Sequence, residues 1–401
     1  MYPRDLDDPL LSRLLGRRQS LFDGDVGSNA PALSAAIRES RVLVVGAAGS
    51  IGQAFVKQLL PFAPKALHLA DLNENMLVEL VRDLRSGNAS LPKDFATFSV
   101  DFAGPEFGAM VAANGPFDVF LNFSALKHVR AERDPFSLMR MIEVNVLALA
   151  SYLDHPASQT LKRAFSVSTD KSVRPENLMG ATKNLMERVL FAHSPRLTAN
   201  SARFANVAFS AGSLLEGFEY RLQKSQPIAA PSDVRRYFIS HAEAGQLCLL
   251  GAFLCQTRDV VFPKLNPQDH LMSFEAIARA FLASHGFDAL ACASEEEARA
   301  RFKDRPAKAW PCVFSSSDTT GEKLAEEFLR PGDRPDLARF AEAGVVQETL
   351  PDMDLLRAFR QEIGEIKART SWGKNELAQA IQRAVPDLLH EERGKSLDQK
   401  M

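Results

Sequence analysis

The chain has 401 residues, of which 46% are hydrophobic and 24% are charged, and this composition is typical of a globular protein with one large domain and a smaller appended part. Its 48 basic and 50 acidic residues give a net charge of −2, so charge provides no reason to expect a nucleic acid or a membrane surface as a partner. None of the four cysteines lies in a Cys-x-x-Cys pair, which argues against a metal site and a redox dithiol.

The first 40 residues precede the strongest structural pattern. Pro9 to Arg18 predicts a short helix, and the Gly/Asp/Ser/Asn/Pro-rich stretch from Asp23 to Pro31 predicts a linker. Charged residues throughout the first 24 positions argue against a signal peptide, and we find no run of about 18 uncharged apolar residues that would span a membrane. We therefore expect a helical lead-in over residues 1–40 and a cytoplasmic protein.

Residues 41–205 alternate short apolar runs with amphipathic segments. Strands are predicted over Val42–Val45, Ala66–Ala70, Thr97–Val100, Val119–Phe123 and Ala164–Val167, and helices over Ile51–Leu59, Glu74–Arg85 and Pro135–Leu153. This alternation with short connections is typical of a Rossmann-type, doubly wound parallel sheet, and the fold class is therefore α/β.

The rest of the chain follows a looser pattern. Residues 206–290 mix short apolar runs with prolines, as expected of a smaller substrate lobe at the carboxyl edge of the sheet. Residues 291–401 predict a polar, mainly helical extension whose role the sequence does not define. Within this extension, the polar turn Asp318–Lys323 follows a strand-like run and is a candidate lid or oligomer contact.

The clearest chemical signal is a glycine-rich loop between the first strand and its helix. Glycines allow the tight turn, and the backbone N–H groups at the start of the next helix then face an anion such as a pyrophosphate. The candidate cofactor residues of this loop are Gly46, Ala48, Gly49, Ser50, Ile51 and Gly52. Because the loop lies between a strand and a helix, it predicts dinucleotide binding.

Two acidic residues end the next two strands. Asp71 lies 19 residues past Gly52, where its carboxylate can accept hydrogen bonds from the adenosine ribose and would repel the 2′-phosphate of NADP. We therefore expect NAD as the cofactor. Asp101 is a candidate contact on the adenine side.

Reactive side chains are expected at the carboxyl edge of the sheet, where ligands of such folds bind. They are Ala125, Lys127 and His128 after the fourth strand, Thr169, Asp170 and Lys171 after the fifth, and Lys183 on the following helix. An acid and a base side by side in one pocket can perturb each other's proton affinity.

In their order and spacing, these motifs resemble the extended short-chain dehydrogenase/reductases, and more narrowly the UDP-N-acetylglucosamine 4,6-dehydratase branch of bacterial polysaccharide biosynthesis. The residues that carry the resemblance are Gly46–Gly52, Asp71, Ala125–His128, Ser168–Lys171, Met179–Lys183, Arg203–Val207 and Arg236–Phe238. The resemblance covers roughly residues 10–290, and it implies NAD, a nucleotide-sugar substrate and a homo-oligomer.

The resemblance also implies a lyase reaction. Hydride passes from C4 of the sugar to NAD, water is eliminated across C5 and C6, and the hydride returns to C6. Lys171 would handle the C5 proton, Asp170 would assist at the C6 hydroxyl, and Thr169 would hydrogen-bond the C4 oxygen. Lys183 would hold the nicotinamide ribose.

Several side chains are candidates for the nucleotide sugar itself. Lys127 and His128 offer donors, and a guanidinium fork suits a pyrophosphate. The pyrophosphate candidates are Arg203, Asn206, Arg235 and Arg236. Arg236 is preferred because it matches the dehydratase branch, whereas Arg203 and Arg235 are more typical of packing or surface residues.

Two positions depart from the family pattern. Met179 stands where short-chain dehydrogenases have the tyrosine of Tyr-x-x-x-Lys, and a thioether cannot relay a proton. The C4 hydroxyl proton must then go elsewhere, and we expect Asp170 to take it with help from Thr169. Ala205 replaces the glycine that the branch usually has in its Arg-Phe-Gly-Asn-Val segment.

Two other functions remain open. A nucleotide-sugar 4-epimerase uses the same cofactor loop, but it needs no acid–base pair at C5 and C6 and normally keeps the tyrosine. A non-catalytic NAD-binding protein is the second alternative, and the presence of Asp170, Lys171 and Lys183 together argues against it. The expected reaction is 4,6-dehydration of UDP-N-acetylglucosamine.

Overall fold

The computed structural model describes residues 5–87, 89–316 and 326–390. The turn Asp318–Lys323, predicted as a lid or an oligomer contact, lies outside the described residues. The strands are β1 (Arg41–Val45), β2 (Ala66–Asp71), β3 (Asp94–Ser99), β4 (Val119–Asn122), β5 (Arg163–Thr169), β6 (Thr198–Phe204), β7 (Asn206–Val207), β8 (Ile228–Pro231), β9 (Arg235–Ile239), β10 (Asp259–Pro263), β11 (Leu271–Ser273), β12 (Asp288–Cys292), β13 (Ala309–Ser315) and β14 (Ala343–Gln347).

The helices occupy both faces of the strands and both ends of the described chain. They are α1 (Pro9–Leu15), α2 (Asp23–Ser28), α3 (Ala30–Ile37), α4 (Ser50–Leu59), α5 (Glu74–Ser86), α6 (Pro105–Asn114), α7 (Pro135–Ile142), α8 (Ala148–Asp154), α9 (Leu178–Ala192), α10 (Leu214–Gln223), α11 (His241–Leu254), α12 (Pro267–His270), α13 (Phe274–Ser284), α14 (Glu295–Arg301), α15 (Met353–Lys367) and α16 (Lys374–Ala384). A π-helical turn, Glu143–Leu147, joins α7 to α8.

Within the described residues, an eight-stranded sheet forms the centre of the protein, in the order β14-β10-β6-β5-β4-β1-β2-β3. All neighbouring strands from β3 to β10 pair in parallel, and β14 pairs antiparallel with β10. The strand order reverses between β1 and β4, and the crevice at such a point, at the carboxyl ends of the strands, is where these folds bind ligands. The predicted Rossmann-type α/β fold is confirmed.

The sheet extends beyond the predicted range 41–205. All five residues of β10 are buried, and Val260 pairs in parallel with Ser201 of β6. Val345 and Val346 of β14 then pair with β10 from the other side. Because these valine-rich segments suit the interior of a sheet, residue 205 does not mark its edge.

A second layer of strands lies beside the sheet. It consists of two three-stranded sheets, β11-β9-β7 and β12-β13-β8, among the described residues. Their apolar core includes Leu11 and Leu14 of α1, Phe281 of α13 and Trp310 of β13. The lobe predicted over 206–290 therefore also contains the N-terminal helix and a strand from the predicted extension.

The predicted linker from Asp23 to Pro31 is wrong, because α2 and α3 occupy this stretch. Phe22, Leu33 and Ile37 are fully buried in the same core as α11. Asp25 accepts hydrogen bonds from the backbone N–H groups of Ala341 (2.5 Å) and Glu342 (2.9 Å). Such packing outweighs the weak helix propensity of glycine, aspartate and asparagine.

The stretch Pro135–Asp154 is long and apolar enough to cross a membrane, by length and composition only, although it contains Arg140 and Glu143. In this structure, 67% of its apolar window is buried inside the protein. Leu138, Ile142, Leu149 and Leu153 all lie in the core cluster on one face of the central sheet.

The C-terminal helices cover a face of the nucleotide-binding fold. Phe359 and Ile363 of α15 and Ile381 of α16 lie in the same apolar cluster as Leu185 and Leu190 of α9. This packing makes α9 a buried helix, and thirteen of its residues are buried. The extension therefore completes the core around the helix that carries Met179 and Lys183.

Arg203 is fully buried in an ion-pair network and does not face a ligand site. Its guanidinium bonds Glu187 (Nη2–Oε2 2.5 Å, Nε–Oε1 3.0 Å) and Glu348 (Nη2–Oε1 2.6 Å). Burial alone would lower the pKa of Arg203, but the two carboxylates outweigh it and raise the pKa above its usual value. Arg203 is thus removed from the pyrophosphate candidates, because its donors are already used by two acids.

Replacing Arg203 by methionine is expected to lower the free energy of unfolding by about 3–5 kcal/mol, because the buried carboxylate of Glu187 would lose its ion-pair partner. Glu348 would keep its ion pair with Arg330. Urea titration followed by circular dichroism measures this loss. Arg357→Met is the matched control, since the Arg357–Asp354 pair is 72% and 90% exposed and should contribute less than about 1 kcal/mol. Equal losses in the two variants would contradict the assignment.

Candidate active site

A cavity of about 750 Å³ opens at the carboxyl edge of the central sheet. Most predicted site residues line it: Gly49, Ser50, Ile51, Gly52, Ala125, Lys127, His128, Thr169, Lys171, Met179, Lys183, Asn206 and Arg236. The other five, Gly46, Ala48, Asp71, Asp101 and Asp170, do not line it. The fold thus brings residues from the start of α4 and from the segment after β4 together with residues of β5, α9, β7 and β9.

The glycine-rich loop approaches other backbone so closely that side chains are excluded. Gly46 has φ +71°, and a Cβ there would lie 2.5 Å from the backbone nitrogen of Ser124. A Cβ on Gly52 would lie 2.2 Å from the carbonyl oxygen of Gly46. Helix α4 begins after Gly49 with no side-chain cap, so its first N–H groups are available to an anion.

Asp71 lies beside the loop, and both Asp71 and Asp101 already accept hydrogen bonds from the protein. Asp71 accepts hydrogen bonds from the backbone N–H groups of Ala48 (2.9 Å) and Asn73 (2.8 Å). Asp101 accepts from Arg140 (2.5 Å) and from the N–H of Ala103 (2.9 Å). A carboxylate has several acceptor sites, so the ribose and adenine contacts of these two residues stay predictions.

The segment with Lys127 and His128 is held by Asn145, which lies in the π-helical turn. Asn145 accepts from the N–H of Leu126 (2.9 Å) and donates to its carbonyl oxygen (3.0 Å). Desolvation lowers the pKa of Lys127, and the negative charge of Glu216 partly opposes this. Such π-helical turns often occur at functional sites, and this one positions a wall of the cavity.

Gly212 lies opposite the imidazole of His128. It has φ +73°, and a Cβ there would lie 2.5 Å from the ring carbon Cε1 of His128. Burial, followed by the positive charges of Lys127 and Arg130, lowers the pKa of His128. The ring is therefore neutral at neutral pH and can both donate and accept a hydrogen bond.

Thr169, Asp170 and Lys171 form a connected acid–base cluster at the end of β5. The hydroxyl of Thr169 donates to Asp170 Oδ1 (2.8 Å), and Lys171 Nζ lies 3.2 Å from the same oxygen. Thr169 and Lys171 line the cavity, while Asp170 is 2% exposed behind them. The buried carboxylate is thus compensated by a cation and a hydroxyl, as buried charge requires.

Helix α9 fixes this cluster from behind. A Cβ on Gly180 would lie 2.3 Å from the carbonyl oxygen of Lys171, so only glycine allows the helix to pack this closely. The hydroxyl of Ser172 lies 2.7 Å from the carbonyl oxygen of Thr169 and 2.9 Å from Glu187 Oε1. The loop and the helix are therefore held together by close packing and by hydrogen bonds.

Met179 and Lys183 lie one turn apart on the cavity side of α9. The N–H of Met179 donates to Glu132 Oε1 (2.7 Å), and the Glu132 side chain also lines the cavity. Burial lowers the pKa of Lys183 to about 8, against the opposing effect of Glu187. Lys183 Nζ lies 3.1 Å from the sulfur of Met186, a weak acceptor, so its other donors remain for a ligand.

The substrate lobe contributes Asn206 and Arg236. Arg236 is buried and donates to the carbonyl oxygen of Arg235 (2.8 Å), whereas Arg235 is exposed. Asn206 Nδ2 donates to Glu326 Oε1 (2.7 Å), which brings a carboxylate from the C-terminal region to the site. Asn206 and Arg236 therefore both reach the cavity.

Sequence reasoning missed several residues of this site: Glu132, Asn145, Gly212, Glu326, Lys374 and His390. Asn145 could have been found, because a polar residue inside a long apolar helix usually has a buried partner. No local pattern distinguishes Glu326, Lys374 or His390. They reach the site only through long-range packing of the C-terminal region.

The family model described as polysaccharide biosynthesis protein matches residues 42–338, well over half of the chain. An uncharacterized membrane protein of Methanocaldococcus jannaschii is 32% identical over 57% of this chain and 67% of its own length. The probable polysaccharide biosynthesis protein EpsC of Bacillus subtilis is 28% identical over 62% of this chain, which spans only 40% of EpsC. A UDP-N-acetylglucosamine 4,6-dehydratase (inverting) of Campylobacter jejuni is 25% identical over 57% of this chain and 67% of its length.

Solved structures confirm the fold. Pen from Bacillus thuringiensis superposes with a TM-score of 0.63 at 18% identity, covering 78% of this chain and 89% of Pen. The UDP-Glc/GlcNAc 4-epimerase of Campylobacter jejuni gives a TM-score of 0.54 at 16% identity, covering 72% of this chain and 91% of the epimerase. The chain therefore belongs to the polysaccharide biosynthesis protein family, with an extended short-chain dehydrogenase/reductase-like architecture.

Proposed function

We propose that the chain is an NAD-dependent 4,6-dehydratase of a nucleotide-activated hexose, with UDP-N-acetylglucosamine as its substrate. The observation that carries the proposal is the Thr169–Asp170–Lys171 cluster, which connects a hydroxyl, a carboxylate and an amine beside a cavity lined by the glycine-rich loop. The relative from Campylobacter jejuni that is named for this reaction supports the choice.

The residues present fit NAD. The loop excludes any side chain at Gly46 and Gly52, and the start of α4 offers N–H groups to its pyrophosphate. Asp71 lies beside the loop for the adenosine ribose, and Lys183 lines the cavity for the nicotinamide ribose. When bound, NAD would accept the hydride of C4 and return it to C6.

The cluster provides a route for the C4 hydroxyl proton without a tyrosine. Thr169 Oγ1 can take the proton from the C4 hydroxyl while it passes its own proton to Asp170, 2.8 Å away. The protonated Asp170 can then return this proton through the Thr169 hydroxyl to the C6 hydroxyl, which leaves as water. One carboxylate thus accepts the first proton and donates it to the leaving group.

Lys171 has the complementary task at C5. Its ammonium group first releases a proton to solvent. The neutral amine then accepts the C5 proton, which is acidic once C4 is a ketone, and it returns a proton to C5 when hydride has reached C6. Its Nζ lies 3.2 Å from Asp170, so a proton can move between the two groups. The sugar loses one water, and the side chains end as they began.

A 4-epimerase is the second candidate function. It is favoured by the fold similarity to the UDP-Glc/GlcNAc 4-epimerase of Campylobacter jejuni. An epimerase has no step at C5 or C6, and the Asp170–Lys171 pair would then have no role there. Cytoplasmic location, self-association, and residues 206–290 as the nucleotide-sugar lobe stay predictions from the sequence.

Incubation of the purified protein with UDP-N-acetylglucosamine is expected to produce a new C6 methyl doublet and loss of the C4 proton signal. Proton NMR of the sugar measures both. A change at C4 without a methyl signal would instead indicate epimerase chemistry. Bound NAD with an unchanged sugar, also with GDP- and dTDP-sugars, would indicate a non-catalytic binding protein.

Replacing Asp170 by asparagine is expected to lower kcat by about 10²–10⁴-fold, the usual contribution of general acid–base catalysis. KM should change little, because Asp170 does not line the cavity. Steady-state formation of the 4-keto product measures both constants. Asp354→Asn is the control, since its carboxylate is 90% exposed, and near-normal turnover of Asp170→Asn would contradict the role.

Replacing Gly52 by alanine is expected to abolish NAD binding, because the new Cβ would lie 2.2 Å from the carbonyl oxygen of Gly46 and force the loop open. Cofactor released from the denatured protein and fluorescence titration with NADH measure the effect. Gly217→Ala is the matched control, because a Cβ there meets nothing within 4 Å. Unchanged NAD content in Gly52→Ala would show that this loop is not the pyrophosphate site.

A further inference from the structure

Glu326 is a buried carboxylate that the C-terminal region brings to the active site. It is 8% exposed. Its Oε1 accepts from the side-chain amide of Asn206 (2.7 Å), and its Oε2 accepts from the backbone N–H of Tyr237 (2.6 Å). Both partners are neutral donors, so neither supplies a counter-charge to the carboxyl group.

The first consequence concerns Asn206. Its Nδ2 donates to Glu326 Oε1, and it also lies 3.5 Å from the carbonyl oxygen of Tyr237. The amide nitrogen is therefore engaged by the protein, and the group that Asn206 can offer to a ligand is its carbonyl oxygen, an acceptor. An acceptor suits a ligand N–H or O–H, such as the acetamido N–H of an N-acetylhexosamine.

The second consequence concerns protons. Among the described residues, the charged groups that act on Glu326 are Asp170 and Lys171 at the end of β5 and Arg236 on β9. Burial raises the pKa of Glu326 to about 8, and the negative charge of Asp170 adds to this. Lys171, the hydrogen bond from Tyr237 and Arg236 act in the opposite direction.

Asp170 and Glu326 are thus two nearby acids with different surroundings. Asp170 has a hydroxyl at 2.8 Å and an ammonium group at 3.2 Å, whereas the hydrogen-bond partners of Glu326 are uncharged. When two carboxyl groups share a site, the proton resides on the one whose charge is less well compensated. Here that group is Glu326.

We propose that Glu326 is a positioning residue of this site, which turns the carbonyl oxygen of Asn206 toward the cavity and carries a proton at neutral pH so that Asp170 remains the ionised base. The role assigned to Asp170 rests on the proposed dehydratase function. The orientation of Asn206 and the proton on Glu326 do not depend on that function.

The proposal gives nucleotide binding a defined pH dependence. Below about pH 8 Glu326 is neutral and places no negative charge near Arg236. As the pH rises through about 8, Glu326 ionises and places a negative charge near the arginine expected to bind the pyrophosphate. Affinity for a nucleoside diphosphate should therefore fall on the alkaline side.

The test compares wild type, Glu326→Gln and Glu327→Gln. Glu327 is the matched control, because it is the next residue and its side chain is 42% exposed. Calorimetry with UDP between about pH 6.5 and 9.5 should show about a tenfold loss of affinity in wild type and in the control. This is the loss expected if UDP binding changes the pKa of Glu326 by about one unit. The loss should be absent in Glu326→Gln. Burial also brings the pKa of Lys183 to about 8, so the wild-type curve alone does not identify the titrating group. The difference between Glu326→Gln and the other two proteins shows whether that group is Glu326.

Infrared difference spectra taken over the same pH range without ligand provide the independent measurement. A carboxylic acid C=O band that disappears near pH 8 should be present in wild type and Glu327→Gln and absent in Glu326→Gln. Glu326→Ala serves as a second variant if the glutamine variant does not fold, as judged by thermal unfolding.

The outcomes separate this inference from the proposed function. Identical UDP curves in wild type and Glu326→Gln, or a fully ionised Glu326 at neutral pH, would overturn the inference even if the sugar is dehydrated. Conversely, no C6 methyl signal, or no UDP binding at any pH, would count against the dehydratase, while the infrared titration would still decide the protonation of Glu326.

Discussion

The buried ion pair between Arg203 and Glu187 connects the parts of the protein on which the site depends. Arg203 belongs to β6, and Glu187 belongs to α9. Glu187 also lies within hydrogen-bond distance of Ser172, directly after the acid–base cluster, and Arg203 pairs with Glu348 of the C-terminal region. Buried charges tolerate little displacement because each needs its partner, so this network holds the catalytic segment, the sheet and the extension in one arrangement.

That arrangement gives two carboxyl groups at one site different surroundings. Asp170 is buried but compensated by Lys171 and Thr169, and Glu326 is buried between neutral donors. Environment, rather than residue type, then decides which acid is charged. The same principle gives Lys183 a pKa of about 8 on a helix that the C-terminal helices bury.

The sequence predicts well what depends on local pattern. Strands β1 to β5, the glycine-rich loop and the adjacent residues Asp170 and Lys171 follow from periodicity, backbone sterics and neighbouring positions in the chain. The helices α2 and α3 were not predicted, because burial of Phe22 and Leu33 outweighs their turn-like composition. Glu326 reaches Asn206 across 120 positions, and no local pattern indicates such a contact. The sequence already favours a packing or surface role for Arg203 over ligand binding, and its two acidic partners show that it is a buried ion-pair residue.

The methionine at position 179 is explained by its surroundings. Its side chain is 4% exposed, and its N–H is already bound by Glu132, so this part of the cavity wall provides packing and no titratable proton. The hydroxyl that the site does offer is that of Thr169, which is directly bonded to a carboxylate. The hydroxyl of a threonine does not act as a base on its own. It can, however, receive one proton while it donates another to an acceptor within hydrogen-bond distance. The loss of a tyrosine therefore does not by itself exclude oxidation at C4, provided that Asp170 is ionised when the sugar binds.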